Sequence, residues 1–468
     1  MTLKFYNTFS RKKDVFKPVK KGEVSLYSCG PTVYHYAHVG NFRAFMFSDI
    51  LKRYLIFKGF KIKHVMNITD VDDKTIRDSQ KEGKTLKKFT EFYTKAFLDD
   101  LIVLNIIPAD IMPKATDCIP DMIKLIHKLL AKDVAYKAKD GIYFNINKFK
   151  NYGELSKIDL TKTKKVSRIS TDEYDKTNPN DFALWKFWSK EDGNVSWDAD
   201  FGKGRPGWHI ECSAMSSKNL GDSFDIHTGG VDLIFPHHEN EIAQSEAASG
   251  KKFVKYWLHN EYILVDGKKM SKSLGNFYTL RDILNKGYSA KAIRYVLLAT
   301  HYRQQLNFTL DGVGSAENSI DRLKEFTEKL RRKVKGKGSS KGKGHEGTDD
   351  LIELTRKSFE KAMDDDLNIS EGLGVFFEFV KEVNKIMDII SKKDAKALLN
   401  FSDQIDSIFG LMHFEDDKIP NSVIKIAEQR QKARAEKDFK KADEFRDKLK
   451  EKGYEVKDTK DGFVLKVI

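Results

Sequence analysis

The sequence predicts an α/β protein, built on a parallel sheet covered by helices and interrupted by an insertion. A helical region and a small α+β module follow toward the C-terminal end. Three observations carry this expectation. Between Val24 and Ile68 a strand, a helix and a second strand follow one another within about 45 residues, which is the pattern of a crossover unit in a parallel sheet. A second strand-to-helix passage comes only at Phe224, so the stretch between reads as an insertion into one fold. Beyond about residue 315 the apolar spacing turns helical.

The elements follow in order. Residues 24–29 (VSLYSC) read as a buried strand, and Gly30-Pro31-Thr32 as a turn. A helix is expected from about His38 to Phe57, with Phe42, Phe45, Ile50, Tyr54 and Phe57 near one face and Gly59 as its stop. Residues 61–68 resume as a strand. The insertion, about 105–203, carries Trp185, Trp188 and Trp197. Phe224 to His227 form the second strand, and His237 to Ala248 its helix. Ile320, Leu323 and Leu330 space one later helix; Leu351, Leu354 and Phe359 space the next; Phe376, Val380, Val383 and Met387 space a third. Residues 333–347 (KVKGKGSSKGKGHEG) can bury nothing and are expected to form a mobile loop. Short helices are expected at 422–435 and 438–451, the second with Phe439, Ala442, Phe445 and Leu449 inward. YEVKDT and FVLKVI around Lys460-Asp461-Gly462 signal a terminal hairpin.

Composition narrows the class. The chain has 468 residues, 40% of them hydrophobic and 12% aromatic, which suits several folded domains and excludes a disordered chain. No run of about 18 apolar residues predicts a membrane span, and the first residues lack the pattern of a signal peptide. Three cysteines cannot frame a disulfide scaffold and suit a reducing cytoplasm. A formal charge of +14 favours a polyanionic partner.

Three constellations carry chemistry. GPTVYHYAHVGN (30–41) lies where a strand becomes a helix, and such sheet edges and helix starts attract phosphate. There His38 can donate to a phosphate oxygen, and Gly40 lets a nucleotide approach the backbone. Alone the pattern is short, and a satisfied structural histidine is its ordinary meaning. Lys269-Met270-Ser271-Lys272-Ser273, after the turn Asp266-Gly267, suits a clamp on a departing pyrophosphate. His-x-Gly followed by KMSKS is the paired signature of class I aminoacyl-tRNA synthetases. The third set is Cys29, Cys212, His237 and Glu241: two thiols, an imidazole and a carboxylate that match a tetrahedral zinc site. His237 and Glu241 stand four apart on one helix face. His238 and Glu239 are the rival choices, although neighbours in sequence cannot share a face.

Over essentially its whole length the chain resembles the cysteinyl-tRNA synthetases. The matching stretches are CGPTVYHYAHVGNFR, NITDVDDK, GRPGWHIECSAM, FDIHTGGVDLIFPHHENEIAQS, DGKKMSKSLGNF and MDDDLN. The resemblance implies a class I Rossmann-type catalytic domain in two halves, 1–104 and 204–255, around an insertion at 105–203. It also implies a KMSKS-containing stem-contact region at 256–314, a tRNA-binding helical bundle at 315–415 and an anticodon-binding module at 416–468. It implies zinc, one Zn2+ per chain, on Cys29, Cys212, His237 and Glu241. Cysteine would be bound by Thr69, Trp208 and His227. ATP would lie along Gly30, Thr32, His38, Gly40, Gly230, Asp232 and Lys272, with Mg2+ accompanying it. His38, Asn41, Lys269 and Lys272 would be catalytic. The sequence departs from the general class signature at Asn41, where that signature has histidine and the resembled family accepts either residue, and from many members of the family at Thr228, where they have glycine.

The implied activity is activation of L-cysteine by ATP and transfer to tRNA(Cys), by a cytoplasmic monomer with no membrane partner. Zinc prefers thiolate to hydroxyl, so serine would be excluded without an editing domain. Residues 425–452 hold eleven Lys/Arg against seven Asp/Glu, and 329–343 eight basic residues and no acidic one, as expected of a surface facing tRNA. The rivals are a ligase that joins cysteine to a small amine in mycothiol synthesis, a nucleotidylyltransferase and a non-enzymatic zinc protein that binds RNA. The first lacks a long C-terminal part. The second does not need the Cys/His/Glu set, and the third needs neither KMSKS nor His-x-Gly.

Overall fold

A computed structural model describes residues 2–158, 181–271, 275–336, 344–412, 421–436, 438–452, 454–459 and 462–467. Lys272 and Ser273, the centre of the 333–347 loop and the Lys460-Asp461 turn lie outside the described residues.

At the heart is a parallel sheet of four strands in the order Val254–Asn260, Phe224–Gly230, Glu23–Ser28, Lys61–Met66. Its register sets Leu26 opposite Ile226 and Tyr27 opposite Val65. The expected crossover helix runs Val39–Phe57 and ends at Lys58-Gly59, with Gly59 at φ +86°. Phe42, Phe45, Ile50 and Tyr54 are buried as expected, but so are Phe47, Leu51 and Leu55 between them. A helix buried all round lies inside a layered core, with the sheet on one side and helices Ala290–Ala299 and Lys392–Phe409 on another. The other face of the sheet belongs to a second core, where Tyr27, Val65, Phe224 and Trp257 meet the inserted segment. That segment folds into helix Ile119–Ala131 and an antiparallel sheet of Ala135–Lys137, Gly141–Phe144, Phe182–Phe187 and Gly204–Pro206. Of its tryptophans, Trp185 is fully buried whereas Trp188 is exposed.

The helical region comprises Leu310–Val334, Thr348–Asp364, Ile369–Ile386 and Lys392–Phe409. The last of these has no counterpart in the expectations above. Leu354 corrects the second: it points to solvent, 66% exposed, whereas Phe359 is buried as expected and Thr355, Ala362 and Met363 face inward with it. Three apolar residues of one helix define its face only if the helix phase is known, and the buried threonine hides that phase. The helices share one continuous core with the sheet, in which Phe5, Leu26 and Ile50 belong with Phe376 and Phe409.

Buried charges tie this core together. The guanidinium of Arg294, wholly buried, donates to Phe409 O (2.7 Å), Leu104 O and Asn105 O (2.9 Å each) and Asp49 Oδ2 (2.7 Å). Asp49 also accepts from Arg53 Nε and Ile107 N, both at 2.9 Å. A buried charge persists only when satisfied in this way. MDDDLN works similarly. Asp364 accepts from Tyr54 Oη at 2.7 Å, and Asp366 accepts from Tyr6 N (2.7 Å), Tyr302 Oη (2.5 Å) and Arg303 Nε (2.6 Å). The motif is therefore a clasp between the N-terminal strand and the helices.

Residues His413–Ile468, with Asn285–Gly287, form a separate compact unit. It holds helices Asn421–Ala435 and Phe439–Glu451 and the antiparallel pair Tyr454–Thr459 and Gly462–Val467. Ala442 and Leu449 are buried, but Phe439 is 63% exposed and Phe445 only half-buried. The small core of this unit is filled instead by Val423, Ala427, Leu449 and Val456.

Candidate active site and metal centre

The site is built at the carboxyl edge of the parallel sheet, where strands end and their following turns diverge. Cys29 directly follows its strand, His227 lies in the neighbouring strand, and Thr69 lies three residues beyond the end of the outer one. Helix Trp208–Leu220 brings Cys212. His237 lies in a wide turn, Ile234–His238, and the regular helix begins at Glu239 rather than at His237. The i, i+4 relation nevertheless holds, with His237 Nε2 3.1 Å from Glu241 Oε1.

Cys29 Sγ stands 4.0 Å from Cys212 Sγ and 3.9 Å from Glu241 Oε1. Cys29, Cys212, His237 and Glu241 offer ligating atoms that all lie within 4.8 Å of one another. An overlapping group, Cys29, His227, His238 and Glu241, meets the same limit. The rival His238 is thus inside the cluster, with Nε2 3.3 Å from Cys29 Sγ. Its Nδ1 lies 2.8 Å from His259 Nε2, and His259 Nδ1 lies 2.7 Å from Thr8 Oγ1. Glu239, the other rival, is elsewhere: its carboxylate accepts from Gly153 N (2.9 Å) and Ser156 N (2.8 Å) of the inserted segment.

Burial holds His227 and His209 at about 3, and His237 and His238 well below the ordinary value. These imidazoles are neutral, the form that ligates metal. Burial, then the facing Cys212 sulfur, pushes the Cys29 thiol well above its ordinary value. A bound dication would reverse that balance. Two thiols, an imidazole and a carboxylate fit a small, borderline-soft ion. His237 Nδ1 lies 2.9 Å from His209 Nδ1, an outer partner of the kind that orients a metal-bound imidazole. Trp208 stacks on His237 with centroids 4.2 Å apart and stays 43% exposed, forming an open wall. His227 Nε2 lies 2.9 Å from Glu241 Oε2. Thr69 is buried and donates to Glu211 Oε2 at 2.7 Å.

The loop that follows the strand Glu23–Ser28 is pinned from beneath. Gly30 N donates to Asn67 Oδ1 at 2.8 Å, and a Cβ on Gly30 would lie 1.7 Å from Asn67 O, so only glycine fits. Thr32 bridges Thr69, with Val33 N donating to Thr69 O at 3.1 Å. His38 caps the central helix: its Nδ1 accepts from Asn41 N (3.2 Å), while Asn41 Oδ1 accepts from His38 N (3.0 Å). Asn41 therefore has a local job, closing a capping box. Thr228, the other departure, joins a buried hydroxyl cluster with Ser28 (2.8 Å) and Ser48 (3.0 Å). Gly230 ends its strand, and exposed Asp232 stands in the short helix that follows.

Lys269 is exposed at the end of a two-residue strand, and Met270 lies against Gly40. Sequence reasoning missed Asn276. Its buried side chain accepts from Ser271 N (2.8 Å) and donates to Lys269 O (3.2 Å), bracing the described part of the KMSKS loop. It also missed His209, Asn67 and His259. His209 could have been found, because it precedes Cys212 by three residues on one helix.

Comparison with known proteins agrees with this architecture. Residues 15–318 match the family model of tRNA synthetases class I (C) catalytic domain. Residues 358–413 match the DALR domain, and 416–463 the cysteinyl-tRNA ligase anticodon binding domain. The chain is 49% identical over 465 residues to a cysteine–tRNA ligase of Chlamydia pneumoniae, covering 98% of this chain and 97% of that one. It is 48% identical over 474 residues to one of Protochlamydia amoebophila, covering 99% and 98%. In fold it is similar to Mycobacterium tuberculosis methionyl-tRNA synthetase in complex with methionyl-adenylate, with TM-score 0.61 and 14% identity, covering 82% of this chain and 89% of that one. With the loop, the His38 cap and the Cys/His/Glu cluster all standing on a class I sheet, the chain belongs to the cysteine–tRNA ligase family.

Proposed function

We propose that this chain activates L-cysteine with ATP to cysteinyl-adenylate and transfers it to tRNA(Cys), holding one Zn2+ on Cys29, Cys212, His237 and Glu241. The observation that carries the reading is the convergence of that donor set at the carboxyl edge of the sheet, with Trp208 stacked on His237. Of the two overlapping groups, the one with two sulfurs suits a soft ion better. His238 and His259 are then a hydrogen-bonded support behind Cys29. When bound, zinc supplies a soft Lewis acid that takes a thiolate in preference to a hydroxyl.

The remaining chemistry belongs to the chain. Burial, with His35 nearby, lowers His38 to about 4, so its imidazole is neutral at pH 7. Because Nδ1 accepts from Asn41 N, the proton sits on Nε2, which is free to donate to a phosphate oxygen. Charge neutralisation as pyrophosphate departs then falls to Lys269 and Lys272, while Mg2+ accompanies ATP. Gly30, Thr32, Gly40, Gly230 and Asp232 border the nucleotide; Thr69, Trp208 and His227 border cysteine. No described helix is long and apolar enough to cross a membrane.

Cysteine-dependent ATP–pyrophosphate exchange tests the reading. Exchange with serine should be lower by about 10⁴, as at sites built around one required contact. Equal exchange with both, or none with cysteine, would refute it. Lys272→Ala should slow adenylate formation more than about tenfold with cysteine binding nearly unchanged, since the lysine meets charge only in the transition state. Asn276→Ala should act in the same direction but less strongly. A rise in the cysteine dissociation constant with the chemical step intact would remove the clamp role.

A further inference from the structure

A series of aromatic rings leads outward from the catalytic loop across the surface. Phe277, just past the KMSKS segment, meets the His38 ring at 5.1 Å and the His35 ring at 6.2 Å. His35, exposed, stacks parallel to Tyr93 at 6.3 Å. Tyr36 meets Tyr93 at 5.5 Å and Phe92 at 6.1 Å. The rings come from three separated stretches of chain: the turn before the central helix, helix Leu86–Val103, and the segment after Asn276. Phe92, at the far end, is 52% exposed. An apolar ring of this size is usually buried, so one held in water against Tyr36 and Tyr93 calls for a reason.

Cations border the row. The Arg281 guanidinium lies 4.7 Å from the centre of the Tyr36 ring, and Lys84 Nζ 5.8 Å from that of Phe92. Each also has an acidic partner, Asp100 at 3.1 Å for Arg281 and Glu82 at 2.7 Å for Lys84. Those pairs hold the cations in place over the rings. The surface thus offers planar faces with positive charge beside them. That combination suits single-stranded nucleic acid, whose bases stack on aromatic rings while its phosphates meet cations.

We propose that this row receives the unpaired 3′ end of tRNA, with one base stacking on Phe92, and leads the strand toward His38. The proposal rests on the ligase reading, in which the terminal ribose must reach an adenylate formed beside His38. Unpaired bases leave their own stack as the strand bends into a site, and aromatic side chains replace the lost stacking.

The test uses the full chain carrying Phe92→Ala or Phe92→Tyr and two tRNA(Cys) transcripts, one complete and one trimmed of its unpaired 3′ nucleotides. Phe92→Ala should weaken binding of the complete transcript about tenfold, the effect of losing one base–ring stack. It should leave binding of the trimmed transcript unchanged. Phe92→Tyr, which keeps the ring, should behave as the unaltered protein. Cysteine-dependent pyrophosphate exchange, which needs no tRNA, should stay within twofold in both variants. An equal loss with both transcripts would overturn the proposal by placing the contact elsewhere on tRNA. No loss with either would overturn it in favour of a different macromolecule, such as a protein. Absence of cysteine-dependent exchange in the unaltered chain would instead defeat the ligase reading itself.

Discussion

Cys212→Ser should emerge from purification with its zinc lost, falling from one per chain to near zero by elemental analysis. Its sulfur is one of two in the cluster, 4.0 Å from Cys29 Sγ, and a serine hydroxyl is a poor ligand for a borderline-soft ion at neutral pH. Cysteine-dependent exchange should fall by more than about a hundredfold, since even outer partners of a metal ligand can account for that much. Cys212 is also buried, so thermal unfolding must be compared with that of the unaltered protein stripped of metal. A folded variant that keeps its zinc would end the assignment. Cys118→Ser is the control. That cysteine is buried in the second core and belongs to neither donor group among the described residues, so metal content and exchange should be unchanged.

Deleting residues 413–468 should leave a folded protein that exchanges pyrophosphate and charges tRNA poorly. Deleting from 315 onward should leave no cooperative fold. The difference lies in the core. Residues 288–412 form one compact unit with 1–284. Removing the later helices would strip Arg294 of Phe409 O, Arg53 of Ser407 O and Tyr54 of Asp364. Arg294 and Arg53 would keep Asp49, but each buried group left without one of its hydrogen-bond partners costs about 1–3 kcal/mol, against a total stability of about 5–15 kcal/mol for a domain. The lost burial of Phe359, Phe376, Phe379 and Phe409 adds about 1.5–3 kcal/mol for each ring. Circular dichroism and thermal unfolding decide the folding claim; exchange and aminoacylation decide the functional one. The shorter deletion removes basic helices, so aminoacylation by the intact chain should also be the more salt-sensitive activity. Efficient charging by the protein lacking 413–468 would show that this unit is not needed to hold tRNA. A folded, active protein ending at 314 would show that the shared core is dispensable.

Much of the site was legible in the sequence, because its chemistry is carried by residue type at short spacing. Cys29, Cys212, His237 and Glu241 are expected by residue type to meet, and their ligating atoms do lie within 4.8 Å of one another; His-x-Gly followed by KMSKS points by its order to a class I synthetase, the class whose family model the chain matches. The strand–helix–strand start was legible too, because period 2 and period 3.6 are local properties of a chain. What tertiary structure decided depends on residues far apart in sequence. His238 enters the cluster because its Nδ1 meets His259, 21 residues on, and His259 is itself held by Thr8, 251 residues away from it in sequence. Glu239 leaves it because Gly153 and Ser156 supply its hydrogen bonds. Leu354 and Phe439 look inward on spacing but face solvent, since burial depends on what packs against a helix and not on the helix alone. Residue type and short-range spacing thus determined what chemistry the chain could hold, whereas long-range packing, which no local pattern encodes, decided which of the neighbouring candidates lie within ligand distance.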